Sequence, residues 1–411
     1  MSDDPSVLDH VKQLWAGEGP YRAHDDTFTG GEMNEQSPSA DEVARPRTST
    51  RDPQILQRQL QEWIVSVLPK DALPEVGVVT VPQGNGMSSE TLLFDATWNE
   101  AGERSTHELV ARVAPDPAAV PVFPTYDMRK QFDTMRLVAE RTDVPVPTTY
   151  WCEPEGGPVG APFFVMQRIE GNVPPDVPPY PFAGWILESS PAELSTLQNT
   201  TVAVLAQLHE VSDGLELLES SADGATALER HINDLRDFYD WVVIQGQRRS
   251  PLIERAFSWI GSHLPTQQSA PVLSWGDSRI GNVMYRDYKP VAVLDWEMAA
   301  VAPREVDVAW MITIHRFFQD LAESIGMAGL PDFQRRDDIA AEYERITGYQ
   351  PQDLDFHTCY AALRYAVVMF RIGVRAQKFG EMAMDADPED MILHRGMLEA
   401  MLDGTYWKNI N

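Results

Sequence analysis

The chain has 411 residues, 43% of them hydrophobic and 23% charged, with a formal net charge of −29. At roughly 150 residues per domain this allows two to three domains, or one domain in two lobes, and the composition is that of a globular protein rather than a disordered polymer. The carboxylate excess would repel a phosphate backbone, so no nucleic-acid partner is expected.

Cys152 and Cys359 are the only two cysteines and form no Cys-x-x-Cys pair, which argues against a disulfide framework or zinc knuckle and for a reducing cytoplasm. The opening Met1-Ser2-Asp3-Asp4-Pro5 is acidic where a signal peptide carries a basic region. The most apolar run, 365–374, is broken by Arg371 and is shorter than the roughly 20 residues of a spanning helix, so no membrane association is expected.

Residues 1–50 are rich in Asp, Glu, Gly, Ser, Thr and Pro without periodicity and read as an acidic, loosely structured arm. From Pro53, the residues Leu56, Leu60, Trp63, Ile64 and Val67 recur at helical spacing, with Asp52 as the expected N-cap. Strand-like runs follow at 76–81, 92–98, 107–113 and 163–169, with an amphipathic helix over 126–140. Beyond Pro191 the pattern is helical over 191–211, 227–244, 251–264, 305–318, 354–379 and 388–402. The exception is 272–296, where β-type runs flank a polar turn at 286–289. The expected class is α+β: a small β-rich lobe over 51–170, then a larger, mostly helical lobe over 171–411 with a hairpin at 272–297.

There is no Gly-x-x-x-x-Gly-Lys loop, no Gly-x-Ser-x-Gly elbow and no His-Glu-x-x-His, and the nine histidines lack metal-ligand spacing. What stands out is Leu273-Ser274-Trp275-Gly276-Asp277-Ser278-Arg279-Ile280-Gly281-Asn282, followed by Val291-Ala292-Val293-Leu294-Asp295-Trp296-Glu297. An Asp five residues before an Asn, then a hairpin, then an Asp ending an apolar strand is the spacing that phosphoryl transfer uses in kinases. Asp277 would orient the attacking hydroxyl and accept its proton. Asn282 and Asp295 would hold Mg²⁺ against the nucleotide phosphates, since hard cations prefer oxygen ligands.

These runs resemble the aminoglycoside phosphotransferase, or choline-kinase-like, family, whose signature reads His-Gly-Asp, four residues, Asn, then Asp-Trp-Glu. The flanks resemble the branch related to kinase-like domains of acyl-CoA dehydrogenase family proteins. The resemblance runs over about 56–402 and is strongest over 273–310. It implies a two-lobed protein-kinase-like fold, and partners that are ATP, with Mg²⁺, and a small-molecule hydroxyl acceptor.

The resemblance also places Gly84, Gly86, Ser88 and Ser89 in a loop over the phosphates, Arg112 at the position of the phosphate-binding Lys, and Gln131 where its partner Glu usually stands. Gln167 and Ile169 lie in the matching hinge, where backbone groups would meet adenine. Trp275 departs from the family His; its indole either donates a hydrogen bond in that place or fills core. Asp307 is expected to tie a helix to the catalytic loop, and His209 to be a satisfied helix histidine. Arg364, Arg371, Arg375 and Lys378 share an arc of one helix, and Arg371 and Arg375 are the candidate contacts to an anionic acceptor such as a hydroxyacyl compound. A nucleotide- and metabolite-binding sensor with little turnover is the alternative, motivated by Trp275, Arg112 and Gln131.

Overall fold

The computed structural model describes residues 51–82, 89–245, 248–408 and 410. The first helix, α1 (Pro53–Val67), starts as its sequence dictates: the Asp52 carboxylate accepts from the amides of Gln54 and Ile55, and Pro53 occupies the first helical position. Its stripe of Leu56, Leu60, Trp63 and Ile64 is at most 2% exposed and lies on one face of a five-stranded antiparallel sheet of order β1-β2-β3-β5-β4. These strands are β1 (Glu75–Val76), β2 (Glu90–Glu100), β3 (Glu103–Val113), β4 (Thr149–Glu153) and β5 (Phe163–Gln167).

Side chains alternate across this sheet. Leu109, Ala111, Phe163 and Val165 face α1, whereas Val110, Phe164 and Met166 turn to the other side. There they meet α2 (Met128–Arg141) through Met128, Phe132, Met135 and Val138, and this second core is continuous with that of the large lobe. The sheet therefore has one private face and one face that binds the lobes together.

The large lobe contains α3 (Pro191–Leu208), α4 (Ala227–Ile244), α5 (Pro251–Ser262), α6 (Glu305–Ser324), α7 (Arg336–Thr347), α8 (Leu354–Lys378) and α9 (Arg395–Leu402). Two short ribbons sit among them. β6 (Pro271–Ser274) pairs with β9 (Ala300–Pro303), and β7 (Val283–Arg286) pairs with β8 (Lys289–Val293). Together they aim the loop 275–282 and the loop after β8 at the cleft. Helices α6 and α8 are buried on nearly every side and form the lobe's centre. No helix among the described residues is long and apolar enough to cross a membrane.

The structure departs from the periodicity reading in five places, the first being the run 76–81, which forms only the two-residue β1 and an isolated bridge at Thr80. β4 and β9 were not expected, because one follows the proline-rich 144–147 and the other is a four-residue run. α7 buries only Ile339 and Tyr343, too sparse a stripe to read from sequence. The expected helix over 388–402 is a 3₁₀ turn, Pro388–Met391, followed by α9.

Candidate active site

The loop after β6 turns sharply at Gly276, whose φ is +89° and where a Cβ would stand 2.0 Å from the Met298 carbonyl oxygen; only glycine lets the two loops approach so closely. Asp307, in the first turn of α6, binds this loop from behind. Its Oδ1 accepts from Ser274 Oγ and the Gly276 amide, both at 2.9 Å, and its Oδ2 accepts from the Trp275 amide at 2.7 Å. His209 lies 3.2 Å from Asp307 Oδ2 through Nε2, and its Nδ1 meets the Tyr343 hydroxyl at 2.8 Å. Burial pushes the Asp307 carboxyl up, but His209 and the two amides outweigh it and hold the group below the usual range. The fully buried carboxylate is thus a charged cross-brace between α6, α3 and the loop.

Asp277 emerges from this brace with both oxygens engaged. Trp310 Nε1 donates to Oδ1 at 2.7 Å, and Arg279 Nε is 3.1 Å from each oxygen. The Arg279 Nη1 also pairs with Asp176 Oδ2. Arg364 lies over the Trp310 ring at 4.4 Å and donates to the Gly276 carbonyl at 2.9 Å, which stiffens the indole and the turn together.

Asn282 Nδ2 donates to the Asp277 carbonyl at 3.0 Å, and the Leu294 amide donates to the Asn282 carbonyl at 2.9 Å. The Trp275 indole closes the circuit by donating to the carbonyls of Leu294 and Asp295 at 2.9 and 3.1 Å, so the departure from the family His is an indole donor and not mere filling. Asp277, Asn282 and Asp295 are therefore linked by one hydrogen-bonded chain. Asp295 has a left-handed backbone, φ +60°, uncommon for a residue with a side chain. Its Oδ1 is buried and accepts no hydrogen bond from the described residues. Burial, with Asp277 adding, raises the Asp295 carboxyl above its usual range, against the pull of Arg112 and Arg279. A buried carboxylate oxygen without such a partner, with the Asn282 amide on the same hydrogen-bonded chain, is a donor set suited to a hard divalent cation. Among the described residues no group of three or more His, Cys, Asp and Glu side chains could hold a metal, so such an ion would share its shell with phosphate oxygens.

In the small lobe, Arg112 lies on the middle strand β3, opposite Thr91 on β2 and Phe164 on β5. Its Nη1 donates to Thr91 Oγ1 at 2.9 Å and not to Gln131, which is 4% exposed on α2. Asp127 and Asp133 do not replace the missing carboxylate: Asp127 caps α2 at the Lys130 amide, and Asp133 pairs with Arg129. Gly84, Gly86 and Ser88 lie outside the described residues, whereas Ser89 is buried with an Oγ that has no partner among the described residues. At the hinge, the Gln167 amide bonds Thr148 and the Arg168 amide bonds Glu108, which makes Ile169 the next amide beyond these sheet contacts.

The basic arc on α8 turns inward. Arg371 donates through Nε and Nη2 to the Pro121 carbonyl at 3.0 and 2.6 Å and lies over the Trp241 ring, and Arg375 donates to the Ala119 carbonyl at 3.2 Å. The arc is thus neither a solvated face nor a row of ready anion contacts, because Arg364 is tied to Gly276 and Arg371 and Arg375 clamp the loop after β3. Arg371 with exposed Lys378 does line a cavity of about 380 Å³ whose other walls include Phe123, Tyr126, Trp241 and Gln245. Burial first, then the charge of Glu297 and last that of Asp295, raise the pKa of the Tyr126 hydroxyl.

Sequence reasoning assigned nothing to Arg279, Asp176, Trp310 or Tyr126. Only Arg279, two residues beyond Asp277, lay inside a motif.

Comparison with known proteins bears on this geometry. The family model described as "Phosphotransferase enzyme family" matches residues 93–346. Human acyl-CoA dehydrogenase family member 11 is 29% identical over 168 residues, 40% of this chain and 20% of that protein. Mouse acyl-CoA dehydrogenase family member 10 is 24% identical over 278 residues, 64% of this chain and 24% of that protein. The chain therefore spans about a quarter of the length of these two relatives. Among solved structures, a candidate aminoglycoside phosphotransferase from Ralstonia eutropha has a TM-score of 0.58 at 20% identity, over 87% of this chain and 98% of that one. A type I macrolide 2′-phosphotransferase has a TM-score of 0.52 at 14% identity, over 85% and 97%. A ternary complex of the aminoglycoside phosphotransferase APH(4)-Ia with AMP-PNP and hygromycin B has a TM-score of 0.51 at 14% identity, over 84% and 98%. With the loop geometry above and a family match over more than half its length, this chain belongs to the phosphotransferase enzyme family and has its two-lobed kinase-like fold.

Proposed function

We propose that this chain moves the γ-phosphoryl group of ATP to a hydroxyl of a small molecule. The observation that carries this reading is the hydrogen-bonded chain through Asp277, Asn282, Trp275 and Asp295. Asp277 takes the proton of the acceptor hydroxyl as the acceptor oxygen bonds to the γ-phosphorus. The bond from that phosphorus to the β–γ bridging oxygen breaks, and ADP leaves with the electron pair. Asn282 and Asp295 would hold Mg²⁺, which when bound offsets charge on the phosphates. Arg112, Ser89 and the loop with Gly84, Gly86 and Ser88 contact the phosphates, Gln131 would accept from Arg112 only if that side chain turned from Thr91, and the backbone of Gln167 and Ile169 meets adenine. In the same proposal 51–170 is the nucleotide lobe, 171–411 carries the chemistry, and 1–50 is an arm.

For the acceptor, an anionic compound with an apolar part, a hydroxyacyl metabolite among them, fits better than a polycationic aminoglycoside. The cavity beside Tyr126 supports this, since aromatic and proline walls meet Arg371 and Lys378. Arg375 contributes by positioning the loop that walls the cavity.

The test is calorimetric titration with ATP in the presence and absence of magnesium, then phosphate transfer to hydroxy acids and to an aminoglycoside. Asp295→Asn should remove the magnesium dependence of binding, because an amide lacks the charge that offsets a divalent cation. Undiminished magnesium-dependent binding in that variant takes Asp295 out of the site. Binding with no transfer to any hydroxyl compound favours the sensor, a reading supported by an Arg112 whose side-chain bond goes to Thr91.

A further inference from the structure

Asp176 stands 103 positions before Arg279 in the chain, yet its Oδ2 pairs with the guanidinium whose Nε is shared by both oxygens of Asp277. The segment carrying it is fixed to the catalytic hairpin. Asn172 and Tyr285 exchange two backbone hydrogen bonds, each 2.8 Å. Space is kept for the pair as well: a Cβ on Gly281 would stand 2.7 Å from Arg279 Nη1 and 2.9 Å from Asp176 Oδ1. Any larger residue at 281 would push the two apart.

The side chains of Arg279 and Asp176 are 23% and 36% exposed. A pair only partly shielded from water contributes modestly to folding, so its main effect is on where the guanidinium sits. A lone Arg279 next to nucleotide phosphates would have rival anions to turn to, and Asp277 would then lose the contact that fixes its carboxylate plane. Trp310, the other donor to Asp277, touches only Oδ1 and cannot fix that plane alone.

We propose that Asp176 is a positioning residue for phosphoryl transfer: by anchoring Arg279 it holds the Asp277 carboxylate so that Oδ2 faces the acceptor hydroxyl. This rests on the reading of Asp277 as the base. It adds a distant carboxylate, on the segment after the hinge, that touches neither nucleotide nor acceptor.

The experiment uses the full chain in four forms: wild type, Asp176→Asn, Asp176→Glu and Arg279→Lys. The Trp310 indole N–H reports directly on Asp277 Oδ1, and its resonance in a ¹H–¹⁵N spectrum is assigned by its loss in Trp310→Phe. Melting temperature, AMP-PNP affinity and phosphate release from Mg-ATP, with water as acceptor, are measured alongside. Asp176→Asn should shift the Trp310 resonance, leave melting within about 2 °C and AMP-PNP affinity within about twofold, and slow phosphate release about tenfold or more, as small misplacements of a reacting group do. Asp176→Glu, which keeps the charge, should retain more of the rate. Arg279→Lys should behave like Asp176→Asn, because one ammonium cannot span two carboxylates as the fork does. An unmoved Trp310 resonance in Asp176→Asn overturns the proposal whatever the rate, and a large fall in melting temperature overturns it by making Asp176 a fold residue. If wild type releases no phosphate to water, that bears on hydrolysis and not on transfer to a hydroxyl compound, and the indole resonance alone decides the coupling of Asp176 to Asp277.

Discussion

Asp277 and Arg112 both present charge to the cleft, one from each lobe, but they are held by different physics. Behind Asp277 stands a buried polar scaffold in which Asp307, His209, Tyr343, Ser274 and two backbone amides satisfy one another. Behind Arg112 stands an apolar sheet, and the side-chain hydrogen bond it makes among the described residues goes to Thr91 on the neighbouring strand. A polar scaffold fixes direction, because each hydrogen bond is directional, whereas an apolar sheet fixes position and leaves a long side chain free to turn. In the proposed reaction the lobe that would handle the acceptor hydroxyl is the one built for direction.

The largest effect that would sharpen this contrast is in turnover. Asp277→Ala should lower it by about 10²–10⁴-fold with nucleotide affinity within a few fold, since a general base acts on the acceptor. Near-normal turnover of an identified acceptor would break the comparison at its root. Next is the scaffold itself. Asp307→Asn should destabilise the protein by roughly 3 kcal/mol, because it leaves buried donors without the charge they face. Urea unfolding measures this, and a change below about 0.5 kcal/mol would mean the brace is dispensable.

The third test uses acid. His315, His357 and His394 are 3%, 4% and 3% exposed, and all belong to the large lobe. Burial lowers their pKa values to about 3, 4 and 4. They stay neutral in the fold, whereas the unfolded chain takes up protons below its ordinary histidine value of about 6.5. Their contribution is therefore complete above that pH and is lost as the pH falls from it toward the folded values, at up to about 1.4 kcal/mol per pH unit per histidine. Melting temperature should drop between pH 7 and 5, and a flat profile would contradict their neutral burial. The smallest effect concerns the small lobe. Arg112→Lys should weaken nucleotide binding by about 1–2 kcal/mol through loss of the two-pronged contact, without lowering stability. Equal affinity in Arg112→Ala would move Arg112 out of the site.

How much of this was legible follows from range. Asp277, Asn282 and Asp295 fall within 19 residues, so their relation is written in local spacing, and the strand and helix stripes that frame them are periodic. The Asp176 pair spans 103 positions and the Arg371 clamp on Pro121 spans 250; no spacing rule reaches that far. The basic arc shows a second limit. A 100° period tells which residues share a side of α8, but not that Val367, Phe370 and Val374, at most 6% exposed, carry that side into the interior with the arginines. Likewise the sequence placed Arg112 on a strand without showing that β3 would be the middle one.

The indole of Trp275 has one further consequence. A neutral imidazole in so buried a place has one donor and one acceptor nitrogen, so the strap between the base loop and the Asp295 loop would depend on which tautomer the ring took. An indole N–H is a donor only and has no such choice. The strap in this chain, to the carbonyls of Leu294 and Asp295, is therefore set permanently.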